Sequence, residues 1–326
     1  MLKDVIEKIR RYEGITRKKD ISYVVEKLRE VSDFGATEIG FGDDAAVLKD
    51  GDGYLLLSAD GMWSKLISTE PYAAGKASVM VSVNDIYAMG GRPIAMVNVI
   101  ATGSKEECLL VLDGIKKGCE KFRVPMVGGH IHPDSNENQL SVAIIGRARR
   151  LLTSHTARCG QDILLAIDLE GRQGCHSVKS WDSNSGKTSE EVLERLEVLP
   201  FLAEEGLCET AKDISNGGIL GTVGMLLETS QKGGIIYLDR IPKPDGFDQI
   251  DWLKAFPSYG FILCTDPPKT GRVIFEFKRR GIYADKIGEV TEPREMILMD
   301  GEEKGVLFDF SKDIITGITN VLHQRQ

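Results

Sequence analysis

Several aspartates in this sequence occupy positions from which a carboxylate could reach a bound cation. Asp43 and Asp44 stand directly before an apolar stretch in GDDAAV, residues 42–47, so loop oxygens could meet a cation while a strand holds the backbone. Asp60 follows the apolar segment 54–58, at the end of a predicted strand, where α/β proteins usually place ligands. Acids also serve in surface turns, so the spacing alone leaves both interpretations open.

Asp85 lies in a predicted helix that is apolar on most of its faces, because Val79, Val83 and Ile86 surround it. A buried carboxylate is costly unless it is paired or bound to a metal ion. No basic residue lies three or four positions away on either side. Asp85 is therefore either a metal ligand or an exposed helix residue.

Asp213 precedes Gly217, Gly218 and the apolar segment ILGTVGMLLE. Backbone N–H groups at the start of that predicted helix could meet a phosphate group. Aspartate is also an ordinary residue at the cap of a helix. Both interpretations remain open.

Two glycines and two histidines occur together in VGGHIH, residues 127–132. Gly128 and Gly129 would let the backbone approach a ligand closely. His130 and His132 could bind a metal ion, flank a phosphate loop or serve the structure only.

The acidic positions have no histidine or cysteine beside them, and oxygen ligands alone favour Mg²⁺ over zinc. The formal net charge is −8, so an anionic substrate such as ATP would need a metal ion to offset repulsion. A site for Mg²⁺ and a nucleotide is the simplest hypothesis that covers these residues.

Composition excludes several classes of protein. A chain of 326 residues with 42% hydrophobic and 28% charged residues is typical of two globular domains. It has no apolar run long enough to cross a bilayer and begins without a secretory signal, which predicts a cytoplasmic protein. Six cysteines without a CxxC pair argue against zinc and disulfides. The negative charge argues against a nucleic-acid partner.

Periodicity predicts the order β-β-α-β-α-β-β up to about residue 150. A helix from residue 20 to 31 and a glycine-containing segment precede it. The predicted elements are a hairpin of strands 45–48 and 54–58, helices 72–89 and 104–122, and strands 94–101, 124–127 and 139–147. The second half has α+β character, with strands at 163–167, 235–238 and 260–264 and helices at 189–196, 217–228 and 269–280. The predicted domains are 1–150 and 151–326.

Two segments imitate nucleotide motifs without meeting their requirements. Ser185–Thr188 reads SGKT, but Trp181 stands where a Walker A loop needs its first glycine, and no apolar strand leads directly into the loop. Gly40 and Gly42 imitate a dinucleotide fingerprint, yet a predicted strand follows where that motif needs a helix. Neither segment is assigned to the site.

The ordered segments GDDAAV (42–47), SAD (58–60), SVNDIYAMGGRPIAM (82–96), VGGH (127–130) and KDISNGG (212–218) resemble the aminoimidazole ribonucleotide (AIR) synthase superfamily. That superfamily includes thiamine-monophosphate kinase, selenophosphate synthetase, a hydrogenase maturation factor and formylglycinamidine ribonucleotide synthase. The resemblance spans roughly residues 35 to 290, and VNDIYAMGGRP is its most specific element.

The resemblance implies an α/β (α+β) fold of two domains with an ATP site between them. The N-terminal domain would pair its strands with those of a second subunit to form a shared barrel, which predicts a homodimer, and the C-terminal domain would be an α/β sandwich. The Mg²⁺ ligands it implies are Asp43 or Asp44, Asp60, Asp85 and Asp213. The nucleotide-binding residues predicted with them are Gly42, Asn84, Gly128, Gly129, His130, Lys18 and Lys19, the last two in a basic N-terminal arm that also contains Arg17.

Departures from the relatives leave the substrate open. Selenophosphate synthetase carries a reactive cysteine or selenocysteine in its arm, whereas no cysteine precedes Cys108 here. Thiamine-monophosphate kinase usually has GGD or GGN where this chain has Gly128, Gly129 and His130. The sequence predicts a Mg²⁺-dependent enzyme that transfers or activates a phosphoryl group of ATP on an unidentified small molecule. The alternative is a non-catalytic nucleotide-binding subunit of a larger complex, and no catalytic residue is assigned.

Overall fold

A computed structural model describes residues 2–319 of the chain. Its helices are α1 (Leu2–Arg10), α2 (Glu13–Thr16), α3 (Ile21–Leu28), α4 (Ser64–Thr69), α5 (Pro71–Ala88), α6 (Lys105–Phe122), α7 (Ser189–Leu196), α8 (Val198–Glu204), α9 (Gly218–Thr229), α10 (Gln249–Lys254) and α11 (Pro267–Lys278), with 3-10 turns at Arg17–Asp20, Arg29–Val31 and Leu238–Arg240. Its strands are β1 (Thr37–Ile39), β2 (Ala46–Asp50), β3 (Gly53–Gly61), β4 (Arg92–Ala101), β5 (Met126–His132), β6 (Gln139–Ala148), β7 (Asp162–Ile167), β8 (Arg172–Gln173), β9 (Ser180–Asp182), β10 (Thr210–Asp213), β11 (Gly233–Tyr237), β12 (Phe256–Pro257), β13 (Gly260–Thr265), β14 (Tyr283–Thr291), β15 (Glu295–Asp300) and β16 (Glu303–Asp309).

The first half of the chain forms a six-stranded mixed sheet in the order β1-β2-β3-β6-β4-β5. The predicted hairpin is confirmed: β2 and β3 pair antiparallel from Ala46 with Leu57 to Asp50 with Gly53. The positive φ of +57° at Gly51 in its turn suits a residue without a side chain. Within the described residues the sheet does not close on itself, since β1 and β5 remain its edges.

Helices α5 and α6 cover one face of this sheet and approach each other closely. A Cβ atom at Gly75 would lie 2.1 Å from the carbonyl oxygen of Val111, and one at Gly114 would lie 2.1 Å from that of Tyr72. Helix α5 begins with Pro71, whose fixed φ suits a first helical turn. Because α5 is held between the sheet and α6, residues near its C-terminal end occupy fixed positions.

The second half forms a seven-stranded sheet in the order β10-β13-β7-β14-β11-β15-β16 and a small sheet β12-β9-β8. Strand β7 is buried along its whole length. Helix α1 also packs here, because Leu2, Val5 and Ile9 belong to the hydrophobic core of this half. The domain boundary near residue 150 stays a prediction, and it falls between β6 and β7.

Two sequence predictions need correction. The strand predicted at residues 124–127 runs from Met126 to His132, so Gly128, Gly129 and His130 lie in β5 and not in a loop. The helix predicted from residue 20 to 31 ends at Leu28 and continues as a 3-10 turn. Its periodic apolar residues stay exposed except Val25, because nothing in the described chain covers that face.

None of the described helices has both the length and the apolarity that crossing a bilayer requires.

The face of the first sheet opposite α5 and α6 is apolar and open. Leu57, Val97 and Val99 are 43 to 49% exposed. Leu57 pairs with Ile145 and Val97 pairs with Ala143 across the strands, so these side chains share one face. A contiguous apolar sheet face on a folded chain is typical of a protein–protein interface.

We expect the chain to form a homodimer through this face, and light scattering should give twice the chain mass of 35.9 kDa. The variant Val97→Asp should dissociate the dimer at micromolar concentration, because it would bury an unpaired charge. The control Phe275→Asp, at an exposed site on α11, should leave the mass unchanged. A wild-type protein that is monomeric at micromolar concentration would contradict this prediction.

Candidate functional site

A cavity of about 1100 Å³ lies between the two halves of the chain. Helix α5 and the end of β3 form one wall, and the end of β10 with the small sheet forms the other. All the acids predicted as metal ligands line this cavity: Asp43, Asp44, Asp60 and Asp85 belong to the first half, and Asp213 belongs to the second. The cavity is therefore completed only when both halves are folded and docked.

Three carboxylates converge in this cavity. Asp44, Asp85 and Asp213 each offer an oxygen, and these three atoms lie within 4.8 Å of one another. Asp85 is oriented by Ser58, whose hydroxyl donates a hydrogen bond of 2.5 Å to Oδ2. Three carboxylate oxygens from separate elements, without nitrogen or sulfur ligands, suit a small hard cation such as Mg²⁺.

The structure separates the roles of the two adjacent aspartates. Asp43 accepts hydrogen bonds from the backbone N–H of Ser154 at 2.8 Å and from its hydroxyl at 2.9 Å. Asp44 accepts from the ammonium of Lys212 and from the N–H of Asp213 at 3.1 Å. Asp43 thus anchors its loop to the second half, whereas Asp44 faces the other acids.

Asp60 and Asp213 occupy strand ends. Asp60 lines the cavity near the end of β3, and its charge helps to raise the pKa of the neighbouring Asp85, although it lies outside the group of three carboxylates. Asp213 is the last residue of β10 and does not cap α9, whose N-cap is Gly217. The capping interpretation of Asp213 is therefore wrong.

The environment opposes charge on these acids. Burial raises the pKa of Asp43 to about 6, although Lys212 acts in the opposite direction. Burial also raises the pKa of Asp85 and of Asp213 well above their usual range, and the neighbouring carboxylates add to the shift. A divalent cation among these groups would remove much of that cost.

Lys212 is a site residue that the sequence reasoning missed. Its ammonium contacts Asp44 and lies 3.9 Å from Asp43. Burial alone would lower the pKa of Lys212, but Asp44, Asp43 and Asp213 together raise it. The available signal was a lysine at the start of KDISNGG, on the short buried strand β10.

The N-terminal arm reaches the cavity through some of its basic residues. Arg17 and Lys18 line the cavity, whereas Lys19 is exposed and does not. Arg17 stacks over the ring of Trp63 at 5.3 Å. Burial lowers the pKa of Lys18, and the nearby Lys212 lowers it further.

The arm is seated beside the Asp213 loop by close backbone contact. A Cβ atom at Gly14 would lie 2.1 Å from the carbonyl oxygen of Asn216. Only glycine therefore allows this approach.

Other predicted residues lie apart from the cavity. Gly128, Gly129 and His130 are exposed on the edge strand β5 and do not line it. Asn84 is buried behind the wall, where its amide donates to the carbonyl of Ser258 at 3.2 Å. Its Oδ1 has no hydrogen-bond partner among the described residues.

Gly42 does line the cavity, and its geometry excludes larger residues. Its φ of +109° favours glycine. A Cβ atom there would lie 2.6 Å from Cγ2 of Ile318. The GDD loop and a C-terminal segment thus meet at Gly42.

Glu228 holds that C-terminal segment, residues 315–318, against the cavity. Its carboxylate accepts from the N–H of Ile315 at 2.9 Å, from the N–H of Thr316 at 2.8 Å and from the Thr316 hydroxyl at 2.7 Å. Thr316 and Ile318 line the cavity. Sequence reasoning missed this contact, because it joins residues nearly 90 positions apart.

Ser185 of the segment SGKT lines the cavity, whereas Lys187 and Thr188 make structural contacts. Lys187 lies 3.0 Å from Oδ2 of the buried Asp168 and donates to the carbonyl of Ser183 at 2.7 Å. Thr188 caps α7 through a capping box with Glu191. This arrangement leaves no phosphate-binding loop of the Walker type at Ser185–Thr188.

Family models match most of the chain. The model described as AIR synthase related protein, N-terminal domain, matches residues 42–148, and the C-terminal domain model matches residues 163–301. An uncharacterised protein of Methanocaldococcus jannaschii is 42% identical over 97% of this chain and 99% of its own length. An uncharacterised protein of Synechocystis is 38% identical over 98% of this chain and 99% of its own length.

Phosphoribosylformylglycinamidine synthase subunit PurL of Thermotoga maritima is similar in sequence and in structure. It is 27% identical over 78% of this chain and 44% of its own length. Its structure in complex with ATP superposes with a TM-score of 0.71 at 22% identity, covering 86% of this chain and 49% of PurL. The chain thus spans about half the length of PurL, and the structural match shows a shared α/β fold.

Proposed function

Because the chain belongs to the AIR synthase related family, we propose that it binds ATP with Mg²⁺ and transfers or activates a phosphoryl group on a small molecule. Known members of this superfamily include ATP-dependent enzymes. The observation that carries the proposal is the convergence of Asp44, Asp85 and Asp213 in the cavity between the two halves.

In this proposal Asp44, Asp85 and Asp213 hold Mg²⁺, and Asp60 supports Asp85. Asp43 keeps the loop in place through Ser154. When bound, the ion supplies positive charge that offsets the charge of the phosphates during transfer. The protein mainly positions the reacting groups, as phosphoryl transfer requires little covalent chemistry from side chains.

Only some of the residues predicted to contact the nucleotide line the cavity. Gly42 and Lys18 line the cavity and fit the proposal. Lys19 and Asn84 do not line the cavity, and neither do Gly128, Gly129 and His130. Their contact with a nucleotide stays a prediction that the geometry of a single chain does not support.

An acceptor could bind where the cavity continues beyond the acids. Lys76 on α5 and Lys121 on α6 line that part, together with Asp182. A substrate oxygen or amide held there would attack the γ-phosphate in line. A kinase would release a phosphorylated product, whereas a synthetase would pass through an activated intermediate and release phosphate.

The alternative is a nucleotide-binding subunit of a larger complex that does not turn ATP over. Measuring ADP release by the purified protein, with and without pools of candidate small molecules, separates the two. Mg²⁺-dependent ADP release that a small molecule stimulates supports the enzyme. Tight Mg-ATP binding without ADP release under any of these conditions supports the subunit.

We expect hydrogen exchange over residues 12–42 to slow when a non-hydrolysable ATP analogue binds with Mg²⁺. Gly35, Gly40 and Gly42 give this segment backbone freedom, and Arg17 and Lys18 already line the cavity. Exchange is measured by mass spectrometry at nucleotide saturation that is confirmed separately. Equal exchange with and without nucleotide would mean that the basic residues are only the solvated approach to α3.

A further inference from the structure

Lys212 is a buried cation placed inside the acid cluster. The residue is 7% exposed and lines the cavity. Its Nζ contacts Oδ1 of Asp44 and lies 3.9 Å from Oδ1 of Asp43. It is fixed on β10, which pairs antiparallel with β13 through Lys212 and Ile262.

The carboxylate of Asp44 has two possible partners, and it cannot bind both of them fully. It is paired with Lys212, and it also offers an oxygen to the group formed with Asp85 and Asp213. A divalent cation in that group would repel the ammonium strongly at such short range. The two cations therefore compete for Asp44.

A buried ammonium that loses its carboxylate needs another anion, since an uncompensated buried charge is strongly destabilising. Asp43 lies 3.9 Å from the ammonium, but its carboxylate also holds Ser154 through two hydrogen bonds, so it replaces Asp44 only in part. The other basic groups facing this part of the cavity, Arg17 and Lys18, belong to the N-terminal arm and cannot replace an anion. The phosphates of a bound nucleotide are the anions that enter with the metal ion.

We propose that Lys212 exchanges partners when nucleotide binds: its ammonium holds Asp44 in the free protein, yields Asp44 to Mg²⁺ and then contacts the terminal phosphate. This inference rests on the proposed function and adds a residue that distinguishes ATP from ADP.

The variant Lys212→Met tests the exchange through two effects of opposite sign. Without nucleotide, Mn²⁺ used as a probe should bind about tenfold more tightly, because its competitor is gone. With Mg²⁺ present, the ratio of ATP affinity to ADP affinity should fall about tenfold, because a contact to the terminal phosphate is lost. Calorimetry measures the Mn²⁺ affinity and the two nucleotide affinities. Electron paramagnetic resonance of free Mn²⁺ gives an independent value for the Mn²⁺ affinity.

A purely structural role for Lys212 would not produce this pair of effects. Weaker or unchanged Mn²⁺ binding in Lys212→Met, or equal losses of ATP and ADP affinity, would overturn the exchange. Lys116→Met removes an exposed lysine on α6 that does not line the cavity and should change neither quantity. If Lys212→Met does not fold, Lys212→Gln is neutral, can still hydrogen-bond to Asp44 and should show the same two effects.

The wild-type protein separates this inference from the proposed function. Wild-type protein that binds neither Mn²⁺ nor Mg-ATP would contradict the proposed function itself. Wild-type protein that binds both, with Lys212→Met unchanged, would contradict the partner exchange only.

Discussion

Replacing Asp85 with asparagine is expected to weaken Mg-ATP binding at least about tenfold, or roughly 1.4 kcal/mol. The amide keeps the size of the side chain and can accept the hydrogen bond from Ser58, but it removes the charge that a metal ion needs. Asp60→Asn should cause a loss of the same order, because it removes a second negative charge beside Asp85 in the cavity. Titration calorimetry with ATP at fixed Mg²⁺ measures the effect.

The same substitution should stabilise the metal-free protein. Burial and the neighbouring carboxylates raise the pKa of Asp85 in the folded state, so its charged form opposes folding at pH 7. Asp85→Asn should therefore raise the free energy of unfolding by at least about 1 kcal/mol at pH 7. The gain should disappear below about pH 4, where Asp85 is protonated in both states.

Asp52→Asn is the matched control, because Asp52 is exposed in the turn between β2 and β3. It should change neither Mg-ATP binding nor stability. If Asp85→Asn and Asp60→Asn both bind Mg-ATP like the wild-type protein, the assignment of these residues to a metal site is wrong.

Glu228→Gln should lower the free energy of unfolding by about 2–3 kcal/mol and weaken Mg-ATP binding several-fold. The carboxylate accepts hydrogen bonds from residues 315–317, and an amide would direct its NH₂ group at one of those donors. A buried donor left without an acceptor costs about 1–3 kcal/mol. The loosened segment would no longer hold Ile318 against Gly42.

Chemical denaturation and calorimetry measure the two effects of Glu228→Gln. The control Glu205→Gln changes an exposed glutamate just after α8 and should have no effect on either. A stable Glu228→Gln protein with normal Mg-ATP binding would show that residues 315–318 do not support the site.

Local patterns in the sequence predicted much of the fold. The hairpin of β2 and β3 follows from two apolar runs around Asp-Gly turn residues, and α5 follows from its apolar period and the glycines after it. The predicted end of the strand at VGGH was wrong, because glycines usually end a strand, whereas β5 continues through Gly128 and Gly129. The exposure of α3 also could not be foreseen, since periodicity shows an apolar face but not what covers it.

The residues of the candidate site that belong to sequence motifs could be predicted. The contacts that depend on long-range packing could not. Asp44, Asp85 and Asp213 were singled out from their neighbours, and the structure brings them together. The separate roles of Asp43 and Asp44 depend on Ser154 and Lys212, which lie more than 100 residues away. The contact of Glu228 with Thr316 is equally non-local, and no local pattern encodes it.

Titration calorimetry of the wild-type protein with ATP, in Mg²⁺ and again in EDTA, tests the central claim most directly. The acid cluster predicts that ATP binds in Mg²⁺ and that its affinity falls at least about tenfold in EDTA, because phosphates would then face unneutralised carboxylates. Equal ATP affinity in Mg²⁺ and in EDTA would contradict the claim that this cavity holds a magnesium nucleotide.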